Sequence, residues 1–272
     1  MELTILGTGN ALVTECYNTC FAIKDGDQTF LVDGGGGNGI MHQLKAAGID
    51  WRSVKDIFVT HKHIDHVSGI IWLIRLIGTD MAKGIYDGEV NIYAHAELIE
   101  IIRTLAELLL QKKQTAAIGK TIHLIPVEDG ETREILGCPV TFFDIHSTKA
   151  KQYGFTMMLP DGEKLTCCGD EPCSEFEEEY VRDADWLMHE AFCLYSEADI
   201  FNPYSMHHST VREACETAQR LGAKNLILYH TEQTHLPERK ALYSAEGRNY
   251  FSGNLFVPDD LDVFEIGSRK DD

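Results

Sequence analysis

The strongest constraint on this chain is one short stretch, Thr60-His61-Lys62-His63-Ile64-Asp65-His66. It packs three imidazoles and a carboxylate into neighbouring positions. Upstream, Asp56-Ile57-Phe58-Val59-Thr60 reads as a buried strand, because β-branched and aromatic side chains suit a pleated surface. Downstream, Val67, Ile70, Ile71, Ile74 and Ile77 recur at helical spacing. The histidines therefore fall in the loop between a strand's carboxyl end and a helix, where open α/β sheets place their ligands. His61 and His63 stand two apart and project to one side of an extended segment. Asp65 and His66 follow the turn and can reach a second centre. Imidazole and carboxylate together suit zinc, iron or manganese.

A chain of 272 residues, 44% of them hydrophobic, can bury the core of one large domain, expected here to span 1–272. Lys and Arg number 24 against 43 Asp and Glu, a formal net charge of −19. Such a surface repels polyanions and argues against a long nucleic acid held along it. No basic, apolar leader precedes the first strand at Glu2, so a cytoplasmic protein is expected. The apolar runs 70–77 and 98–110 are broken by Arg75, Arg103 and Glu107, so no membrane span is expected. Eight cysteines are scattered without a Cys-x-x-Cys pair; they are expected to be reduced, with no structural zinc.

In chain order, Gly7-Thr8-Gly9-Asn10 reads as a tight turn after the first strand. Residues 20–23 and 29–32 form a hairpin around Asp25-Gly26-Asp27. Asp33, before four glycines, either orients a ligand histidine or caps a helix over 39–47. A strand over 91–94 precedes a helix over 98–111, opened by His95 as a cap. Its expected buried side is Leu98, Ile101, Ile102, Leu105, Leu108 and Leu109. Strands over 121–126, 139–145, 155–159 and 164–168 build a second half, with His146 and Asp170 at strand ends. A helix over 173–182 and a strand over 185–189 follow. A helix then starts at His208-Ser209-Thr210, and a strand over 224–229 ends in His230. Strands over 255–257 and 262–266 close the chain. Both halves run strands first, then strand–helix alternation. Lys149, Lys151, Tyr204 and Met206 are candidates for a substrate wall, and Cys167 and Cys168 should face opposite sides of their strand.

His-x-His-x-Asp-His at a strand end, followed by a lone His, a lone Asp and a last His at later strand ends, resembles the metallo-β-lactamase superfamily. Within it the chain is most similar to the ribonuclease Z group of phosphodiesterases. Leu6-Gly7-Thr8-Gly9, Leu31-Val32-Asp33, Tyr153-Gly154-Phe155, Gly169-Asp170, His189-Glu190-Ala191 and His208-Ser209-Thr210 carry that likeness. The resemblance implies an α/β fold, a four-layer αββα sandwich of two mixed sheets flanked by helices. It implies two divalent metals, one on His61, His63 and His146, the other on Asp65, His66 and His230, with Asp170 bridging. A histidine at position 63, where iron-holding redox relatives carry an acid, points to zinc; manganese or iron stays open, and no other cofactor is implied. It further implies a hydrolase in which a metal-bridging hydroxide attacks phosphorus. Asp65 would assist that nucleophile, His208 the leaving group, and Glu190 would fix the His208 tautomer. tRNA-processing members carry a long tRNA-gripping arm, whereas residues 147–169 here hold only a hairpin. A small-molecule or single-stranded phosphodiester substrate is therefore expected rather than tRNA. The competing readings are a tRNA 3′-processing endoribonuclease, a carboxylic-ester, lactone or thioester hydrolase, and a non-catalytic metal-binding scaffold. A homodimer is implied by resemblance alone.

Overall fold

The computed structural model describes residues 1–267, and two seven-stranded sheets carry it. Strands are numbered in chain order. The first sheet contains β1 (Glu2–Gly7), β2 (Cys20–Asp25), β3 (Gln28–Val32), β4 (Val54–Phe58), β5 (Val90–Ala94), β6 (Ile122–Pro126) and β14 (Val263–Glu265), in the order β14-β1-β2-β3-β4-β5-β6. The second contains β7 (Thr132–Ile135), β8 (Cys138–Asp144), β9 (Tyr153–Met158), β10 (Lys164–Cys167), β11 (Trp186–Glu190), β12 (Asn225–Tyr229) and β13 (Asn254–Phe256), in the order β13-β12-β11-β10-β9-β8-β7.

Each sheet is antiparallel on one side and parallel on the other. The β1–β2–β3 and β7–β8–β9–β10 neighbours are antiparallel; the β3–β4–β5–β6 and β10–β11–β12–β13 neighbours are parallel. Loop chemistry sets this switch. Two-residue turns close the β2–β3 and β7–β8 hairpins, with Gly26 at φ 58° in the first and Gly137 at φ 71° in the second, while longer loops join the other antiparallel neighbours. Parallel neighbours need a crossover, which the helices over Ile64–Ala82 and Val211–Leu221 supply in turn.

Three apolar cores follow from this layering. Between the sheets lie Leu3, Ile5, Phe30, Phe58, Phe142, Phe155 and Met188. Phe155 meets Phe30 edge-on with ring centroids 5.7 Å apart, and Phe58 with centroids 5.9 Å apart. The outer faces bury Ile57, Ile70, Ile74 and Leu98 on one side and Leu187, Leu226, Val211 and Cys215 on the other. The result is helix, sheet, sheet, helix: the expected αββα sandwich. Cys167 lies in the inter-sheet core and Cys168 in the outer one, as strand alternation requires. No helix among the described residues is long and apolar enough to cross a membrane.

Several local expectations are corrected. The helix expected over 173–182 is confined to Glu178–Val181. The segment before it is held by other bonds: the Cys173 N–H donates to His189 Nε2 at 3.1 Å, and the Ser174 N–H to Glu177 Oε1 at 2.8 Å. The helix over Ala96–Leu109 buries Leu98, Ile99, Ile102 and Ala106, while Leu108 and Leu109 are exposed. His95 does cap this helix, its Nδ1 accepting from the Leu98 N–H at 3.3 Å. Strand β7 was not foreseen; its Thr-Arg-Glu run carries no apolar alternation.

One close approach positions the histidine loop. The glycines after β3 lie against the helix over Ile64–Ala82: the Gly34 N–H donates to His66 O at 2.9 Å and the Gly69 N–H to Gly35 O at 3.0 Å. A Cβ on Gly69 would fall 1.8 Å from Gly34 O, so only glycine fits. Gly69→Ala is expected to force the two segments apart and lower stability by ~1–3 kcal/mol, the usual range for overpacking. Urea unfolding reads this directly; an unchanged midpoint would show that the contact is not tight.

Candidate metal centre

The site forms where loops from both sheets meet. β4 ends at Phe58, and after Val59 and Thr60 the chain runs His61-Lys62-His63 before the helix at Ile64. β10 is followed by Asp170, and β12 by His230. His61, Asp65, His66, Asp170 and His230 are all buried. Asp170 is the hub. Its Oδ2 lies 3.4 Å from His61 Nε2, 3.5 Å from His66 Nε2 and 3.6 Å from His230 Nε2. His66 Nε2 is also 3.4 Å from Asp65 Oδ2. His63 Nδ1 stands 2.8 Å from His61 Nε2.

These donors form two overlapping groups, His61–His66–Asp170 and Asp65–His66–His230, in each of which the ligand atoms lie within 4.8 Å of one another. His66 Nε2 and Asp170 Oδ1 are buried with no hydrogen-bond partner. Buried polar atoms are rarely left so unless something else satisfies them. The protonation states of Asp170 and His230 point the same way; at His66 burial opposes protonation but Asp33, Asp170 and Asp65 outweigh it and raise the pKa, so a cation would displace a proton there. Burial alone would raise the Asp170 pKa, but the charges and hydrogen bonds of His61, His66 and His230 outweigh it and hold the carboxyl well below its usual range. Burial pushes the His230 pKa down to about 3, which keeps the ring neutral. Ionised carboxylate and neutral imidazole are the forms a divalent cation requires of its ligands. The donor set therefore fits a divalent metal.

A surrounding layer fixes the rings. Asp33 Oδ2 lies 2.7 Å from His66 Nδ1, and Asp33 also accepts from the Thr60 N–H and hydroxyl, each at 2.8 Å. Asp33 thus orients a histidine; the helix over Gly39–Ala46 is preceded by Asn38 instead. Thr60 Oγ1 sits 2.9 Å from His61 Nδ1, and Thr19 Oγ1 3.1 Å from His230 Nδ1. Neither threonine was singled out for such a role. Thr60 stands beside the motif and could have been found there; Thr19 arrives from β2's start and gives no local signal.

His146 is not brought to this cluster, which corrects its expected place beside His61 and His63. The chain leaves β8 through a left-handed backbone at His146 (φ 58°), and the exposed ring lies against Phe176 with centroids 4.2 Å apart. It faces a neighbouring cleft with Tyr204, His207 and His208.

Above the cluster opens a cleft of about 390 Å³ lined by His63, Asp65, Lys149, Asp170, His208 and His230, with Met206 on its wall. Lys151 is turned away onto Asp144, 3.7 Å distant. His208 is sandwiched between Phe192 (centroids 5.1 Å, 9° between planes) and His230 (5.1 Å). Its Nδ1 lies 3.6 Å from Glu190 Oε2. Burial opposes protonation of His208, but Glu190 and then Asp170 outweigh it and raise the pKa. Glu190 is fully buried, and its other oxygen accepts the Ser209 N–H at 2.5 Å. Phe192 gave no signal in the sequence.

Solved structures with this architecture include the metallo-β-lactamase fold protein YhfI from Bacillus subtilis (TM-score 0.79, 17% identity, covering 97% of this chain and 98% of that one). Human tRNase Z, short form, is also similar (TM-score 0.74, 21% identity, covering 98% and 99%). Among curated proteins, the ribonuclease Z of Bacillus subtilis is 27% identical over 97% of this chain and 98% of its own, and that of Thermococcus sibiricus 26% identical over 99% and 97%. Fold, site and relatives together define a metal-dependent hydrolase of the metallo-β-lactamase fold, similar to ribonuclease Z. Residues 1–249 match the family described as Anti-Pycsar protein Apyc1, and the chain belongs to it.

Replacing Asp33 by Asn keeps the shape but removes the charge facing His66 Nδ1. Metal affinity is expected to fall ~10–100-fold with secondary structure retained. Competition with a chromogenic chelator measures this; undiminished affinity would show that Asp33 does not act through the ring.

Proposed function

We propose that this protein is a dinuclear metal phosphodiesterase acting on a small-molecule or single-stranded phosphodiester. Asp65, His66 and His230 would hold one ion, His61 and His63 the other, with Asp170 between them. Zinc is the proposed ion, since nitrogen and oxygen donors of this kind suit it. A bound pair of divalent ions supplies a water of lowered pKa and neutralises charge on the phosphate oxygens. The observation that carries the reading is the cleft above the buried donors, because His208 and Lys149 stand on its wall. Its size is that of a small-ligand site.

The chain's own residues divide the remaining work. Lys149 places positive charge beside the cleft in a molecule of net charge −19. Asp65 accepts a hydrogen bond from the attacking water. Glu190 faces His208 Nδ1 at 3.6 Å, so its charge would favour a proton on that nitrogen, and Nε2 would donate to the leaving oxygen. Stacking on Phe192 holds the ring's plane. The donors come from both sheets, which supports treating 1–272 as one domain.

His208→Ala is expected to reduce turnover of bis(p-nitrophenyl) phosphate by ~10²–10⁴-fold while leaving metal content unchanged. Parent-like turnover in that variant would remove His208 from the mechanism. Cleavage of precursor tRNA at its 3′ end in preference to the small ester would favour the endoribonuclease reading. Hydrolysis of lactones or thioesters alone would favour the carboxylic-ester one.

A further inference from the structure

Beside the histidine cluster lies a second group of donors that the reaction does not use. Cys168 Sγ, Cys173 Sγ and a carboxylate oxygen of Glu177 lie within 4.8 Å of one another. Cys168 and Glu177 are fully buried, and Cys173 is half-buried at the edge of the group. Glu177 Oε1 accepts the Ser174 N–H at 2.8 Å, but Oε2 is buried with no hydrogen-bond partner. We propose that Cys168, Cys173 and Glu177 form a further metal site, a thiolate–carboxylate site for zinc, distinct from the histidine cluster.

Three observations support it. The donors are soft and hard together, two thiols and a carboxylate, a combination that zinc accepts and calcium or magnesium does not. The unpartnered Glu177 oxygen is the second. Burial, and then the nearby Cys173, push the Glu177 carboxyl well above its usual range, so this acid is held out of water with one of its two oxygens unsatisfied. A cation among the three donors would satisfy it. Two thiols alone could equally serve a disulfide, but a disulfide has no use for the carboxylate. The third is the fixing of Cys173, whose backbone N–H is held by the buried His189 ring at 3.1 Å. The half-buried thiol leaves a way in for the ion.

Position gives the site a task. Cys168 and Cys173 bracket Gly169-Asp170-Glu171-Pro172, the turn that carries the hub carboxylate. An ion joining the two ends of that turn would clamp Asp170 in place. The site would therefore be structural, and its loss would loosen the turn without removing a donor from the histidine cluster.

The test uses the full chain, purified under reducing conditions and loaded with zinc or with cobalt. The histidine cluster contains no sulfur, so a thiolate-to-cobalt charge-transfer absorption reports the proposed site alone. The expected results are that absorption in the parent, its loss in Cys173→Ser, and its weakening in Glu177→Gln. Bound zinc should fall by one equivalent in Cys173→Ser and by part of one in Glu177→Gln, and p-hydroxymercuribenzoate should release that equivalent from the parent to a chromogenic chelator. Absence of the thiolate band in the cobalt-loaded parent overturns the proposal whether or not the variants fold. So does equal zinc in folded parent and variants, or a Cys168–Cys173 disulfide in zinc-loaded protein purified in parallel without reductant.

Discussion

Asp33 is the carboxylate on which the site's geometry depends. It follows β3 with a left-handed backbone (φ 60°) and is buried. One oxygen takes the Thr60 N–H, and the other lies between the Thr60 hydroxyl and His66 Nδ1. A single side chain thereby ties the end of one strand to the loop leaving the next and to the first turn of the following helix. The glycines after it let that helix approach to backbone contact. With Nδ1 occupied by Asp33, His66 can offer only Nε2, and that nitrogen reaches both Asp65 and Asp170. The direction of the ring is thus settled before any ion arrives, which is how a carboxylate behind a histidine raises metal affinity.

The two sheets explain why donors from distant parts of the sequence meet. Each has an antiparallel side built from hairpins and a parallel side built from crossovers. In the parallel sides, strands β4, β11 and β12 point the same way along their sheets and end at the same edge of the sandwich. Strand ends expose backbone and side chains that the sheet itself no longer uses, so the edges collect function. Loops there contribute His61 and His63 from one sheet and Asp170, Glu190 and His230 from the other. The aromatic core around Phe155 fixes the spacing between the sheets and so the distance across which these donors face each other.

The sequence revealed the site better than the details around it, for physical reasons. A metal-binding loop needs particular atoms at particular spacings, so His61, His63, Asp65 and His66 declare themselves; Asp170 and His230 follow from their places at strand ends. The position of His146 did not: His146 and His230 both follow a strand with a left-handed backbone at φ 58°, and only the contact with Phe176 sets the His146 ring apart. Leu108 and Leu109 fit the helical period yet are exposed, since periodicity does not say which neighbours will cover a turn. Cys173 to Arg182 has helix-forming composition, yet a tertiary hydrogen bond to His189 and a local one to the Glu177 side chain take the backbone first. That same segment hid the Cys168, Cys173 and Glu177 group. The spacing was visible, but its significance rests on Glu177 being buried, and a glutamate in an acidic run reads as surface.

Charge bears on what the cleft can accept. A molecule of net charge −19 does not draw a polyanion along its surface, and the chain between His146 and Asp170 builds a hairpin rather than a gripping arm. Lys149 is the lysine on the cleft wall, its Nζ donating to Met206 O and lying 3.9 Å from Glu171, while Lys151 lies 3.7 Å from Asp144 outside the cleft. Screening confines the influence of an exposed charge to roughly 8–10 Å at physiological salt. On the proposed function, such a short-ranged charge would act on about one phosphodiester, and the acidic exterior would oppose the many phosphates of a structured RNA more than the single charge of a small ester.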